Sequence, residues 1–261
     1  VTLARFLFGF PFAFIYLILL YQQQPITESV HFSMHFWGYI IVAACSQILA
    51  TVLMVQLFKQ KNYAIGVGLA KSEAILTALI AVIFLHEYLS PLGWCGVLLG
   101  AVAVFLLSKG QQKSNFSFST LTIGIGSGLC FAITSLLVRE ASLELSALPF
   151  LHRAAWVLFW VIGFQCISML LYLGLLSRST LSAMWYRIGL TFKVSVCSFL
   201  ASLGWFSAMS MQTVALVKTL GQVEILFSLL ISVFFFKEKL ARTDHIGLLV
   251  VMIAAILVIW A

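Results

Sequence analysis

The sequence predicts an all-α integral membrane protein, an inverted-repeat helical bundle with nine helices of an expected ten. Three observations predict it. Of 261 residues, 62% are hydrophobic and only 9% charged, whereas soluble domains carry about 25% charged residues. Apolar runs long enough to cross a hydrocarbon layer of about 30 Å recur nine times. The chain also repeats itself. Residues 64–108 and 215–259 align without a gap at an offset of 151 residues, placing Glu73 on Glu224, Glu87 on Glu238, Leu89 on Leu240 and Gly96 on Gly247. Duplication in an apolar chain points to two halves arranged around a shared site.

The runs lie near 3–21, 36–58, 63–85, 91–108, 118–138, 149–174, 190–211, 213–236 and 245–261. The first has no small-residue cleavage site after it and has a counterpart in the second half, so it reads as a spanning helix and not a signal peptide. Pro11, which has no N–H, follows Gly9 and interrupts that helix, making Pro11 a candidate hinge. The third run carries Lys71 and Glu73. Gly96-xxx-Gly100 in the fourth and Gly124-xxx-Gly128 in the fifth read as surfaces for close helix packing. Trp205 lies inside the seventh run, as a candidate cavity wall or a packing residue. The eighth carries Lys218, Gln222 and Glu224. Polar breaks separate the runs, among them QQQPITES, FKQKN, LHEYLSP, SKGQQKSN, REASLELS and SRSTLS.

Arg5 opens the first run and Arg153 the sixth, at nearly the same offset. The run at 118–138 has no partner in the first half, so its partner is expected before Val1. The repeats are then 1–108, four helices lacking their first, and 109–261, five helices. An odd number of helices per half inverts one half relative to the other. Alternating loops place Arg5, Lys59, Lys61, Lys109, Lys113, Arg178, Arg187, Lys237, Lys239 and Arg242 on one side, and only Arg139 and Arg153 on the other. The positive-inside rule makes the first side cytoplasmic. The net charge of +7 is scattered singly, which suits anionic headgroups and not nucleic acid. The five cysteines show no CxxC spacing and read as small packing residues.

Glu-x-Leu at the end of an apolar helix, followed by an xGxxLxxxA helix, resembles the EamA type of the drug/metabolite transporter superfamily. HEYLSPLGWCGVLLGAVAV and KEKLARTDHIGLLVVMIAA both carry the pattern, and Arg5 and Arg153 match an arginine at the starts of the second and seventh helices. The resemblance covers essentially the whole chain. It implies a ten-helix permease with inverted halves and both termini cytoplasmic, moving small metabolites, amino acids or drugs across a bacterial inner membrane. That topology disagrees with the charge count. The family often has proline where this chain has Ala74 and Ile225.

An ionisable group at mid-bilayer costs at least about 2.5–3.5 kcal/mol, so Lys71, Glu73, Lys218 and Glu224 are site candidates. At 3.6 residues per turn, Glu73 shares a face with Thr77 and Glu224 with Ser228 and Ser232, while Lys218 and Gln222 form a separate polar face. Lys71 is the repeat counterpart of Gln222. Glu73 and Glu224 are expected near the pseudo-two-fold axis, paired with Lys218 and Lys71. This cluster reads as a site for a charged or zwitterionic substrate, or as the carrier of a coupling proton. The alternative is a set of static ion pairs that fix helix register. Arg5 and Arg153 are candidate anchors for substrate anions, or interfacial snorkelling residues.

Enzyme signatures are absent. GIGSG places Ser127 one residue late for GxSxG, and His86-Glu87 meets Ser90 where HExxH needs histidine. No Walker or Rossmann pattern occurs, and His31 and His35 have no third ligand nearby. The expectation is a secondary transporter exporting small polar solutes by alternating access. It needs a lipid bilayer and no cofactor or metal, and proton coupling is a candidate driving force. The rival is an intramembrane enzyme or receptor using the same Lys/Glu cluster.

Overall fold

A chain whose interior lacks water must satisfy each backbone group within its own helix, and the elements follow from that demand. The computed structural model describes residues 2–26, 28–59, 73–86, 88–109, 118–224, 227, 234 and 242–260. Lys71, Glu87, Glu238, Ser228 and Ser232 lie outside them. The described helices are α1 (Thr2–Phe6), α2 (Gly9–Gln23), α3 (Met34–Lys59), α4 (Glu73–Phe84), α5 (Pro91–Lys109), α6 (Phe118–Glu144), α7 (Phe150–Leu176), α8 (Arg178–Tyr186), α9 (Ile188–Met211), α10 (Val214–Gly221) and α11 (Arg242–Ile259). Among the described residues there is no strand. Five helical stretches are long and apolar enough to cross a membrane: Thr2–Gln23, Met34–Leu57, Phe118–Glu144, Phe150–Leu176 and Ile188–Met211. The chain is an α-helical membrane protein.

Local chemistry sets the boundaries. Ser33 caps α3 by accepting the Phe36 N–H at 3.0 Å. Ser90 does the same for α5 with the Gly93 N–H at 3.1 Å, and Pro91 takes the first helical position, where an N–H has no intrahelical partner anyway. Two expectations are corrected. The polar stretch REASLELS begins inside a helix, since α6 continues to Glu144. SRSTLS is not an irregular break but the start of α8. Arg178 Nε donates to the Gly174 carbonyl at 3.1 Å, satisfying the end of α7, and α8 then presents Trp185 and Tyr186 outward, as aromatic residues sit at a membrane interface.

The helices form two units: 1–48 with 134–212, and 49–133 with 213–261. Neither unit is one half of the sequence; each draws on both repeats. Two pairs of helices related by the duplication each fall within one unit. In the first unit α2 packs on α7, and in the second α5 packs on α11. Gly96 and Ala103 of α5 are buried, as are their counterparts Gly247 and Ala254 of α11. Small residues two turns apart allow close backbone approach, the main source of helix association where lipid removes the hydrophobic incentive. Within the second unit Ser127 Oγ of α6 donates to the Ala50 carbonyl of α3 at 3.0 Å, beside buried Gly124 and Gly128.

The first apolar run is interrupted, as Pro11 predicts, and the break falls at Leu7–Phe8. Pro11 cannot donate to Leu7, and the ladder is opened one turn earlier by Ser195 of α9. Its hydroxyl accepts the Phe8 N–H at 3.3 Å and donates to the Ala4 carbonyl. Those two backbone groups would otherwise bond each other, so Ser195 is inserted between them, a recognised cause of helix kinks. Ser195 is fully buried. Ser195→Ala removes the partner of both backbone groups. Unfolding in detergent is expected to show a stability loss of about 1–3 kcal/mol; a thermal midpoint equal to the parent's would show that the break holds without the hydroxyl.

Candidate functional site

The polar residues of the second unit converge where α4, α5 and α10 meet. Buried Ala78, Val97 and Ala215 form the apolar contact of these helices, with Ile75, Leu89 and Trp94 around it. Glu73 lies on α4 and Lys218 in the last turn of α10. Lys218 Nζ stands 2.7 Å from Glu73 Oε1, with side chains only 12% and 17% exposed. Of the two ion pairs expected, this one is formed within a single unit; the other involves Lys71, outside the described residues.

Helix α10 ends inside its apolar run. Thr219 Oγ1 donates back to the Ala215 carbonyl at 2.8 Å, a bond that bends helices. Gly221 follows, and the next turn is tightened: the Gln222 N–H donates to the Thr219 carbonyl at 3.1 Å and the Val223 N–H to the Leu220 carbonyl at 3.0 Å. These i to i+3 bonds are the tighter 3₁₀ pattern. An interrupted helix at mid-span is a common seat for solute sites in transporters. Sequence reading expected one helix over 213–236; the back-bonding threonine and the glycine divide it.

Four residues beyond each member of the ion pair lies a buried group without a hydrogen-bond partner. Thr77 Oγ1 is one turn from Glu73, and the Gln222 amide is one turn from Lys218. Gln222 is 3% exposed and Thr77 is fully buried. Glu224, the repeat counterpart of Glu73, lies past the break and is exposed. The two glutamates therefore stand in different surroundings.

The remaining candidates lie in the first unit. Arg153 Nη2 donates to the Ser210 carbonyl at 3.1 Å, and Arg139 Nη1 donates to the carbonyls of Met209, at 2.9 Å, and Gln212. Two cations thus meet the negative end of α9, a structural engagement for Arg153 that its position alone did not reveal. Arg5 is half-buried in α1, its guanidinium 5.8 Å from the Phe6 ring. Trp205 is half-buried on α9 and Pro11 is exposed on α2. Sequence reasoning missed two buried polar groups here. His152 Nε2 meets the Gln24 carbonyl at 3.1 Å, and Gln165 donates to Gln47 Oε1 at 2.6 Å. An amide inside an apolar run was the available signal for Gln47 and Gln165.

No family model matches this chain, and no curated protein does. Its fold recurs among solved structures, of which 28 chains match. One crystal structure, described only as that of a protein, aligns over 99% of this chain and 89% of its own, with a TM-score of 0.73 and 13% identity. At that identity the likeness extends to the fold alone.

Removing one partner of a largely buried ion pair takes from the other a counter-charge that offsets its burial. Lys218→Met is therefore expected to destabilise the protein by about 3–5 kcal/mol, and the double variant Glu73→Gln/Lys218→Met to recover most of that loss. Chemical unfolding of the three proteins in one detergent checks it; additive losses would show that the two charges do not act as a pair.

Proposed function

We propose that this chain is a secondary transporter of the EamA-like drug/metabolite kind, resident in a bacterial inner membrane. It exports small polar solutes, amino-acid-like zwitterions first among them, by alternating access, without catalysis or cofactor. The observation that carries the reading is the Glu73–Lys218 pair at 2.7 Å, beside an interrupted apolar helix in an internally duplicated chain. A zwitterion offers an ammonium for Glu73 and a carboxylate for Lys218, so it exchanges one ion pair for two without leaving net charge in the span. Release restores the protein's own pair, which compensates both charges when no solute is held. Static pairing needs neither the helix break nor the unpartnered polar groups beside it. Glu73 and Glu224 are the candidates for carrying a coupling proton.

The test is efflux from vesicles. The full-length protein is reconstituted in vesicles loaded with a small-metabolite extract, and mass spectrometry identifies what leaves faster than from protein-free vesicles. Zwitterionic solutes are expected to leave. Glu73→Gln is expected to slow them about 10-fold or more, the loss of one charge-assisted hydrogen bond of roughly 1.5–3 kcal/mol. If nothing leaves with or without a proton gradient, the export reading fails and the cluster passes to the intramembrane enzyme or receptor reading. If Glu73→Gln and Glu224→Gln each keep the parent's rate and pH profile, neither carboxylate carries a coupling proton.

A further inference from the structure

We infer that Gln222 and Thr77 form the uncharged half of the solute site, taking a neutral group that both donates and accepts hydrogen bonds, and that Gly100 is the positioning residue that seats the Gln222 amide. A carboxamide or a hydroxyl is such a group. The identity of the ligand as a transported zwitterion rests on the reading above; the arrangement of the three residues does not.

Three observations carry the inference. First, Gln222 offers two donors and one acceptor, and neither its Nε2 nor its Oε1 has a partner, although the residue is 97% buried. Thr77 Oγ1 is in the same condition. Each such buried atom carries a desolvation cost if it stays unmatched, and a hydrocarbon interior offers it no bulk water. Second, their placement is not random. Thr77 lies one turn beyond Glu73 and Gln222 one turn beyond Lys218, and residues four apart share a helix face. Thr77 thus continues the face of α4 that carries Glu73, and Gln222 follows Lys218 directly past the end of α10. A neutral donor–acceptor group matches what the amide and hydroxyl offer.

Third, Gly100 makes room for the amide. A Cβ at position 100 would fall 2.2 Å from Gln222 Oε1 and 3.1 Å from its Cδ. The amide occupies the space a side chain would take. The sequence suggested Gly96-xxx-Gly100 as a helix-packing motif. Gly96 is buried and fits that role, whereas the first atoms met beyond Gly100 belong to Gln222. They are the tip of a flexible chain, so Gly100→Ala displaces the amide without demanding a backbone shift.

The experiment measures binding of three zwitterions of similar size to the protein in lipid nanodiscs: glutamine, methionine and glutamate. The parent, Gly100→Ala, Gln222→Leu and Thr77→Val are compared. The parent is expected to bind glutamine about 10-fold more tightly than methionine, the scale of one or two net neutral hydrogen bonds, and to prefer it to glutamate. Gln222→Leu and Thr77→Val are expected to reduce the glutamine preference while keeping methionine affinity, which shows that they are folded. Gly100→Ala is expected to reduce it equally, although Gln222 is still present. If the parent binds all three alike, the neutral subsite is wrong while a zwitterion site stands. If Gly100→Ala keeps the full preference that Gln222→Leu loses, the positioning role is wrong. If the parent binds none of them, the zwitterion reading and the subsite fall together.

Discussion

Everything in this chain turns on one constraint: a polar group removed from water must find a partner inside the protein. Among the described residues two helices are interrupted within apolar runs, one in each unit, and the constraint is met differently at each. At Leu7–Phe8 the exposed backbone groups are answered by a single hydroxyl, since Ser195 accepts from Phe8 and donates to Ala4. That break is closed chemically. At Gly221–Gln222 the backbone is answered by tightened i to i+3 bonds, but the side chains beside it are not answered: Gln222 and Thr77 keep buried atoms without partners. A satisfied interruption is sufficient as architecture. An interruption flanked by unmatched donors and acceptors and an ion pair is where a solute gains most by binding.

The duplication gives the same contrast a second form. Among the positions where the two repeats agree are small residues that build the packing: Gly96 and Ala103 with Gly247 and Ala254, all buried on helices that pack together. The repeats part around the ion pair. Lys71 aligns with Gln222, and the matched glutamates differ in surroundings, Glu73 held by Lys218 and Glu224 exposed. Matched small residues build a repeated scaffold, while polar differences between the repeats allow a site to tell the two ends of a solute apart. A zwitterion has two different ends, which is what such a departure from symmetry suits.

Much of the scaffold was legible because apolar length and turn residues report directly on spans. Runs at 36–58, 91–108 and 149–174 fall within one or two residues of α3, α5 and the membrane-length part of α7. An interruption of the first run was legible because proline lacks a donor, although the break falls one turn earlier, at Leu7–Phe8. The partner that makes the kink tolerable was not: nothing in VSVCSF distinguishes Ser195 from Ser198, because insertion into a ladder depends on where a second helix passes. The extent of α8 was hidden for the opposite reason. Its serines and threonine suit a helix end or a loop equally.

Site residues divide along the same line. Charge inside an apolar run is visible in one dimension, so Glu73 and Lys218 could be named and their pairing anticipated. Arg153 was equally visible and its surroundings were not, because capping the end of α9 requires knowing that Ser210 lies beside it. Gly100 is the sharpest case. Read along the chain it completes a small-xxx-small motif, and that motif predicts a neighbouring helix. The neighbour it meets is an amide. A glycine that admits a backbone and a glycine that admits a polar side chain look alike in sequence. They differ in what a methyl group would strike: backbone would resist it, and the tip of Gln222 can swing away. At the first position an added methyl group lowers stability, while at the second, on the reading proposed above, it changes which solute is held. Gly100 is of the second kind, so its effect is to be sought in selectivity before stability.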